Sequence, residues 1–411
     1  MGAGSPTVSM SAPCRDQDGP VTGSCDEAVP LMTRRRLILH VGLSKSGTTS
    51  LQSVVATSRS ELARHGLAVP LSTRPAVERI LLRPLGWRPG SGFVAPREPD
   101  PLARLLRCLR NAAERDVLIS SEDLAELDGP TVRSVVALAR SAGFEVQLIV
   151  TARAWTRQLP SEYQQFLKHR LADTFPDFLD SVRAGEGFYG QHFRLRQDLA
   201  QVCARWAADI APQDMHLVVL PRNGEDKDFI FTEASAILGV PPAVLPPHHR
   251  DVNGSYGVVE AEVYRRLNVE LARLLPGRTQ RTYRPVRRVL SQGALRRGAS
   301  PRILLPPDHL AWVGAESTRQ VAALADKGYC IHGDLRWLLA DARDTGSAPA
   351  ISDEDLSRAA IETLARFAVR TVLSGAGTAT HDQVEGPSSR RWFPFPARIG
   401  RPRSSAARAA R

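Results

Sequence analysis

Lys45 stands in the segment that most plainly invites chemistry, Leu39-His40-Val41-Gly42-Leu43-Ser44-Lys45-Ser46-Gly47-Thr48-Thr49-Ser50. An apolar run ends in glycine, a short loop follows, and small hydroxyl residues open what reads as a helix. Unpaired N–H groups at a helix start, together with the positive end of its dipole, make an anion site. Gly47 lets the backbone come close to the anion and Lys45 adds a point charge. Thr48 and Thr49 can donate hydroxyl hydrogen bonds to the same oxygens, with Ser46 completing the cradle. The nucleotide triphosphatase loop, G-x-x-x-x-G-K-[ST], has its lysine directly after the second glycine. Here the lysine comes two residues before Gly47. The order therefore describes a phosphate loop of another kind.

A second anion reader is expected at another strand end. Val150-Thr151-Ala152-Arg153 closes an apolar run, and Ser161 follows eight residues later in Pro160-Ser161-Glu162-Tyr163. In an open parallel sheet, ligands gather beyond the carboxyl ends of the strands, so Arg153 should face the same crevice as Lys45. The arginine fork suits phosphate, and Ser161 can add a hydroxyl. For proton transfer the candidate is Glu122, at the end of the apolar run Asp116–Glu122. Ser120-Ser121-Glu122-Asp123 is equally helix-start composition, so a capping role stands beside the catalytic one. His40 is the second candidate base, set against a packed place in the first strand. The remaining histidines show no metal-ligand spacing, and no metal is implied.

These residues need elements to position them. Strand-like runs at Leu37–Gly42, Asp116–Glu122, Glu145–Arg153 and Met215–Arg222 alternate with helical patterns near 46–65, 101–115, 130–142, 156–169 and 193–209. That alternation predicts an α/β three-layer sandwich with a parallel sheet. Beyond Pro241 no further strand is expected. Tyr256–Leu274 reads as a charged amphipathic helix, and 275–305 as a basic loop. Ser352 caps a last helix to Leu373, with Leu356, Ala360, Leu364 and Phe367 on one stripe. The expected organisation is a disordered extension over 1–33, one domain over 34–345, a linker and helix over 346–373, and a disordered arginine-rich tail over 374–411.

The loop resembles the 5′-phosphosulfate loop of sulfotransferases that use 3′-phosphoadenosine 5′-phosphosulfate (PAPS), typically P-K-[ST]-G-T-[TS] before a helix. HVGLSKSGTTSLQ is similar to the bacterial branch of that family, with Ser44 where proline is usual. Arg153 and Ser161 resemble its 3′-phosphate motif. The likeness runs over Arg34–Leu238 and more faintly through Asn253-Gly254-Ser255, Glu260, Glu262, Arg265-Arg266 and Asn268. The glycine-rich C-terminal nucleotide motif of the animal enzymes has no counterpart at its proper spacing. The resemblance implies a P-loop-like fold and PAPS as co-substrate. Lys45, Ser46, Gly47, Thr48 and Thr49 would hold the 5′ side, and Arg153 with Ser161 the 3′-phosphate. Lys45 would stabilise the departing phosphate and Glu122 or His40 would take the acceptor proton. The acceptor would be a hydroxyl or amine of a small molecule, glycan or lipid. A catalytically silent nucleotide-binding protein and an ATP-dependent kinase are the rivals.

Composition bounds the rest. The chain has 411 residues, 43% of them hydrophobic and 24% charged, which is ordinary globular usage. Its net charge is +11, and only four of its 54 basic residues are lysine: Lys45, Lys168, Lys227 and Lys327. A basic core suits a polyanionic donor without requiring nucleic acid. Five scattered cysteines lack any C-x-x-C pair, which argues against a disulfide framework or thiolate zinc. No membrane-spanning run and no basic-then-apolar leader is legible, so a cytoplasmic location is expected. Oligomeric state is not readable from the sequence.

Overall fold

The computed structural model describes residues 35–376 apart from 89–91, 94–99, 113–114, 223–225, 248–254, 277–279 and 296–297. The extension over 1–33 and nearly all of the tail lie outside the described residues. Along the chain run β1 (Arg35–His40), α1 (Thr48–Thr57), α2 (Arg59–Arg64), β2 (Leu67–Ala68) and α3 (Arg74–Val77), then a short ribbon of β3 (Trp87–Arg88) and β4 (Gly92–Phe93). Next come α4 (Ala103–Arg110), β5 (Asp116–Ser120), α5 (Gly129–Ser141), β6 (Phe144–Ala152), α6 (Trp155–Leu167) and α7 (Phe175–Ala184). They are followed by α8 (Gly187–Gln197), α9 (Leu199–Ala207), β7 (Met215–Val219), α10 (Phe229–Leu238) and α11 (Val258–Leu274). The chain closes with α12 (Gln280–Val289), α13 (Leu310–Ala325), β8 (Cys330–His332) and α14 (Asp353–Ala376).

Six strands form one sheet in the order β2-β5-β1-β6-β7-β8, every pair parallel. Strand alternation sorts the side chains by face. Leu37, Leu39, Val117, Ile119, Leu148 and Val150 pack against α4, α5 and α9, where Trp206 is fully buried. Ile38, Leu118, Ile149 and Val218 point the other way, onto α1, α2 and α10. The protein is therefore an α/β sandwich with helices on both faces of a parallel sheet. The switch point lies at β1, whose neighbours are β5 and β6, so the loop after β1 opens where strand order reverses.

The structure departs from the pattern reading at defined places. A strand does follow Pro241: β8 adds to the sheet edge beside β7, although its three residues are too few to show alternation. The helix expected over 46–65 breaks at Ser58 into α1 and α2, and that over 193–209 breaks at Asp198, which caps α9. The segment read as a basic loop contains α12, whose Tyr283 is buried in the second core. Ser352 does cap the last helix through Asp355 N, yet Leu364 and Ala360 are exposed and only part of the expected stripe is covered.

A second apolar cluster joins α6, α7, α8, α11, α13 and α14 beyond the sheet. The faintly recurring stretch on α11 serves this layer. Asn268 Nδ2 donates to the carbonyls of Leu167 and Leu171, both at 2.8 Å, which closes the C-terminus of α6. Gly190 lets α8 press onto the Ser181 backbone of α7, where a Cβ has no room. Because α8 carries Arg196 and Gln197 toward the β1 loop, Gly190→Ala should cost about 1–3 kcal/mol of overpacking strain. Urea unfolding of the variant measures that loss directly.

Candidate active site

The loop after β1 is left-handed at two residues, Lys45 with φ 67° and Gly47 with φ 78°. Lysine rarely accepts that backbone, so something must impose it. The restraint comes from behind. Ser46 Oγ is fully buried, 2.5 Å from Leu43 O, 2.9 Å from Thr151 O and 2.7 Å from Thr151 Oγ1. Ser46 therefore anchors the loop to β6, and its hydroxyl does not face the loop mouth. Leu43 N donates to Thr151 O at 3.0 Å, which continues the β1–β6 ladder beneath the loop.

Gly42 closes this joint. A Cβ there would collide with Thr48 Cγ2 and lie 2.8 Å from His40 Nε2 and 2.9 Å from Thr151 Oγ1. Ser50 and Leu51 both donate to Gly47 O, so Gly47 is the cap of α1. The first N–H groups of α1, from Thr48 and Thr49, have no carbonyl four residues back inside the helix and point outward at the cradle. Thr49 is exposed, whereas Thr48 is buried with its Oγ1 3.5 Å from Glu122 Oε2. The structure thus brings Glu122 to the loop. Glu122 opens the 3₁₀ turn Glu122–Glu126, but Ser121 is its cap. The carboxylate of Glu122 instead reaches Thr48 and, at 3.5 Å, Arg74.

His40 sits under the loop, 1% exposed, with Nδ1 2.7 Å from Ser120 Oγ. Burial lowers its pKa from 6.5 to about 4. It is a neutral packing residue at this position and makes no contact at the mouth.

Ser44 carries a network that motif reading did not reveal. Its hydroxyl donates to Glu162 Oε1 at 2.6 Å and accepts from Gln197 Nε2 at 2.7 Å. Its carbonyl accepts from Gln158 and Gln197. Burial raises the Glu162 carboxyl, while the Ser44 bond and the charges of Arg196 and Lys45 oppose the rise. Proline at this position would lose every hydroxyl bond in the network. Only the adjacency of Glu162 to Ser161 hinted at its role.

Arg153 and Ser161 do converge. Arg153 Nη2 and Ser161 Oγ both donate to Arg157 O, at 3.2 and 3.1 Å, and Arg153 Nε donates to Gln158 Oε1 at 2.7 Å. Burial and the neighbouring Arg157 charge lower the Arg153 pKa to about 10. Arg157 is itself depressed by burial and was missed in the sequence, where one arginine among 50 carries no signal. Burial and the Arg157 charge both weigh against the Arg153 cation, a cost that a bound anion would relieve.

On the opposite side of the loop the charges are paired. Arg74 meets Asp123 at 3.1 Å and Glu78 at 3.3 Å, and Arg196 meets Asp123 at 3.1 Å and Glu126 at 2.5 Å. A cavity of about 270 Å³ opens there, with Val55, Val69 and Leu71 on its apolar side and Thr49, Arg74 and Glu122 on its polar side. Among the described residues no group of three His, Cys, Asp or Glu is placed to hold a metal ion. No described helix is long and apolar enough to cross a membrane.

No family model and no curated protein matches the chain. Among solved structures it is similar to a sulfotransferase from Alicyclobacillus acidocaldarius, with 15% identity and a TM-score of 0.38. The match covers 61% of this chain and 99% of that one.

The His40 environment sets an acid limit on stability. Its folded pKa lies below its unfolded value, so the unfolded chain binds more protons between pH 6.5 and 4. The stabilisation is complete above pH 6.5 and is lost as pH falls through 4. Its size is about 3 kcal/mol. Urea titrations across that range should show a flatter acid-side decline for His40→Gln than for the parent chain.

Proposed function

We propose that the chain is a sulfotransferase that moves a sulfuryl group from PAPS to a hydroxyl or amine of a small-molecule, glycan or lipid acceptor. The observation that supports it most is the division of charge around the β1 loop. Under-compensated cations, Arg153 and Arg157, lie on one side, and a carboxylate within reach of Thr48, Glu122, lies on the other. The residues present fit a donor with phosphates at both ends of its ribose. The α1 N-terminus with Lys45, Gly47, Thr48 and Thr49 would hold the 5′ side, its backbone N–H groups supplementing the side chains. Ser46 would act by holding the loop's shape. Arg153 and Ser161 would turn from the Arg157 carbonyl to the 3′-phosphate.

When bound, the donor supplies an activated sulfuryl group whose bridging oxygen departs with the electron pair. Lys45 and the α1 N–H groups stabilise the negative charge that develops on the phosphate side. Glu122 Oε2 accepts the proton that the acceptor hydroxyl loses as its oxygen bonds to sulfur. Arg74 orients the Glu122 carboxylate from behind, at 3.5 Å.

Calorimetry with 3′-phosphoadenosine 5′-phosphate should give micromolar binding, weakened at least about tenfold by Arg153→Ala, the scale of a lost charged hydrogen bond. Equal or tighter binding of ATP would overturn the donor assignment. Transfer of labelled sulfate to a panel of hydroxylated compounds should fall about a hundred- to a thousandfold in Lys45→Ala. The same assay should fall about a hundredfold or more in Glu122→Gln. Full turnover in the latter variant would remove Glu122 from the mechanism, and product binding without any transfer would identify a silent binder.

A further inference from the structure

One face of α1 connects the β1 loop to the cavity of about 270 Å³ beside it. Thr49, Gln52 and Val55 all line that cavity, and residues three apart in a helix are surface neighbours. Thr49 stands in the first turn of α1, at the anion cradle, and Val55 lies roughly 9 Å further along the helix axis. Val69 and Leu71, from the segment after β2, complete the apolar side with Val55, and all three are buried. From the β5 side Glu122 lines the same cavity, with its carboxylate 3.5 Å from the Thr48 hydroxyl at the start of α1.

Resting on the sulfuryl-transfer reading above, we infer that this cavity takes the acceptor, and that the acceptor is an alcohol or phenol with an uncharged, apolar body about one ring in size. Volume sets the first limit. A cavity of roughly 150 Å³ holds benzene, and pockets for drug-sized ligands begin at about 300 Å³. A volume of about 270 Å³ therefore admits one ring with a small substituent, and leaves no room for an acyl chain or a second sugar. The apolar side favours a hydrocarbon body over a single sugar.

Charge sets the second limit. The charged residues of the lining are Arg74 against Glu122 and Asp123, one cation to two carboxylates. Every guanidinium nitrogen of Arg74 already faces a carboxylate. Nε lies 3.3 Å from Glu78, Nη1 3.5 Å from Glu122 and Nη2 3.1 Å from Asp123. A carboxylate, sulfate or phosphate on the acceptor would meet like charge there without a lining cation to pair with it. An ammonium would pair with Glu122, but its lone pair is protonated and cannot attack sulfur, so the reacting group is a hydroxyl. With the body against Val55, Val69 and Leu71, that hydroxyl reaches the Thr49 end, between Glu122 and the donor cradle. Its oxygen bonds to sulfur as the bridging S–O bond breaks, the electron pair leaves with the phosphate, and the proton passes to Glu122 Oε2.

Transfer of labelled sulfate from PAPS to 4-methylphenol and to 4-hydroxybenzoate, a near-isosteric pair that differs by one charge, tests the assignment on the full chain. 4-Methylphenol should be the better acceptor by at least about tenfold in kcat/KM. Gln52, half-buried in the cavity wall and outside the donor contacts, supplies the steric arm. Gln52→Trp should raise the KM for 4-methylphenol by at least about tenfold. Calorimetric binding of 3′-phosphoadenosine 5′-phosphate should stay at the parent value, which also shows the variant to be folded. Val69→Ala should act in the opposite sense and lower the KM for the bulkier 4-tert-butylphenol several-fold. A preference for 4-hydroxybenzoate, or 4-methylphenol turnover untouched by Gln52→Trp, would overturn this proposal and leave the transferase reading standing. Transfer to an oligosaccharide or a long-chain alcohol alone would do the same. A parent chain that does not bind 3′-phosphoadenosine 5′-phosphate, or that binds it and sulfates none of these probes, would overturn both.

Discussion

The left-handed backbone at Lys45 is the constraint around which the rest of the site is arranged. A non-glycine residue held there costs about 1–3 kcal/mol, so the loop needs restraint from its surroundings. Ser46 supplies it by bonding into the end of β6, and Ser44 by bonding to Glu162 and Gln197. These contacts draw the ends of β6, α6 and α8 onto one loop. The same bonds that hold the loop therefore also fix the β6–α6 turn that carries Arg153 and the helices that carry Ser161 and Arg196.

Charge is divided across that loop by the order of the strands. β5 and β6 flank β1, so the turn after β5 delivers Glu122, Asp123 and Glu126 to one side and the turn after β6 delivers Arg153 and Arg157 to the other. On the β5 side Arg74 and Arg196 neutralise the carboxylates, which leaves Glu122 held in place beside Thr48. On the β6 side the cations outweigh their nearby counter-charges, Glu162 and Asp344, and burial works against them. A site with surplus positive charge on one wall and a positioned carboxylate on the other suits an anionic donor and a proton-losing acceptor. The fold provides this separation before any ligand arrives.

The helical layer has a supporting part. Asn268 closes α6 from α11, and Tyr283 OH donates to Asn268 Oδ1 at 2.6 Å from α12. α6 is thereby clamped at its C-terminus while its N-terminus carries the arginine pair.

Local pattern in the sequence was enough for the four longer strands, the tight loop after β1, the start of the helix that follows it and the capped start of α14. Periodicity and turn chemistry are properties of neighbouring residues, so they can be read in line. The convergence of Arg153 with Ser161 was legible only as a spacing, and its geometry depends on both reaching the Arg157 carbonyl. The network at Ser44, the partnership of Arg74 with Glu122, and the inward turn of the Ser46 hydroxyl had no local signature. Each joins residues many tens of positions apart, and burial decides whether a polar side chain faces a ligand or the core. The edge strand β8 escaped notice for a related reason, since three residues show no period and become a strand only by pairing with β7. The sequence by itself determined which local shapes and charges were available, whereas tertiary packing decided which of them meet, because hydrogen bonds and desolvation act on atoms brought together across the chain.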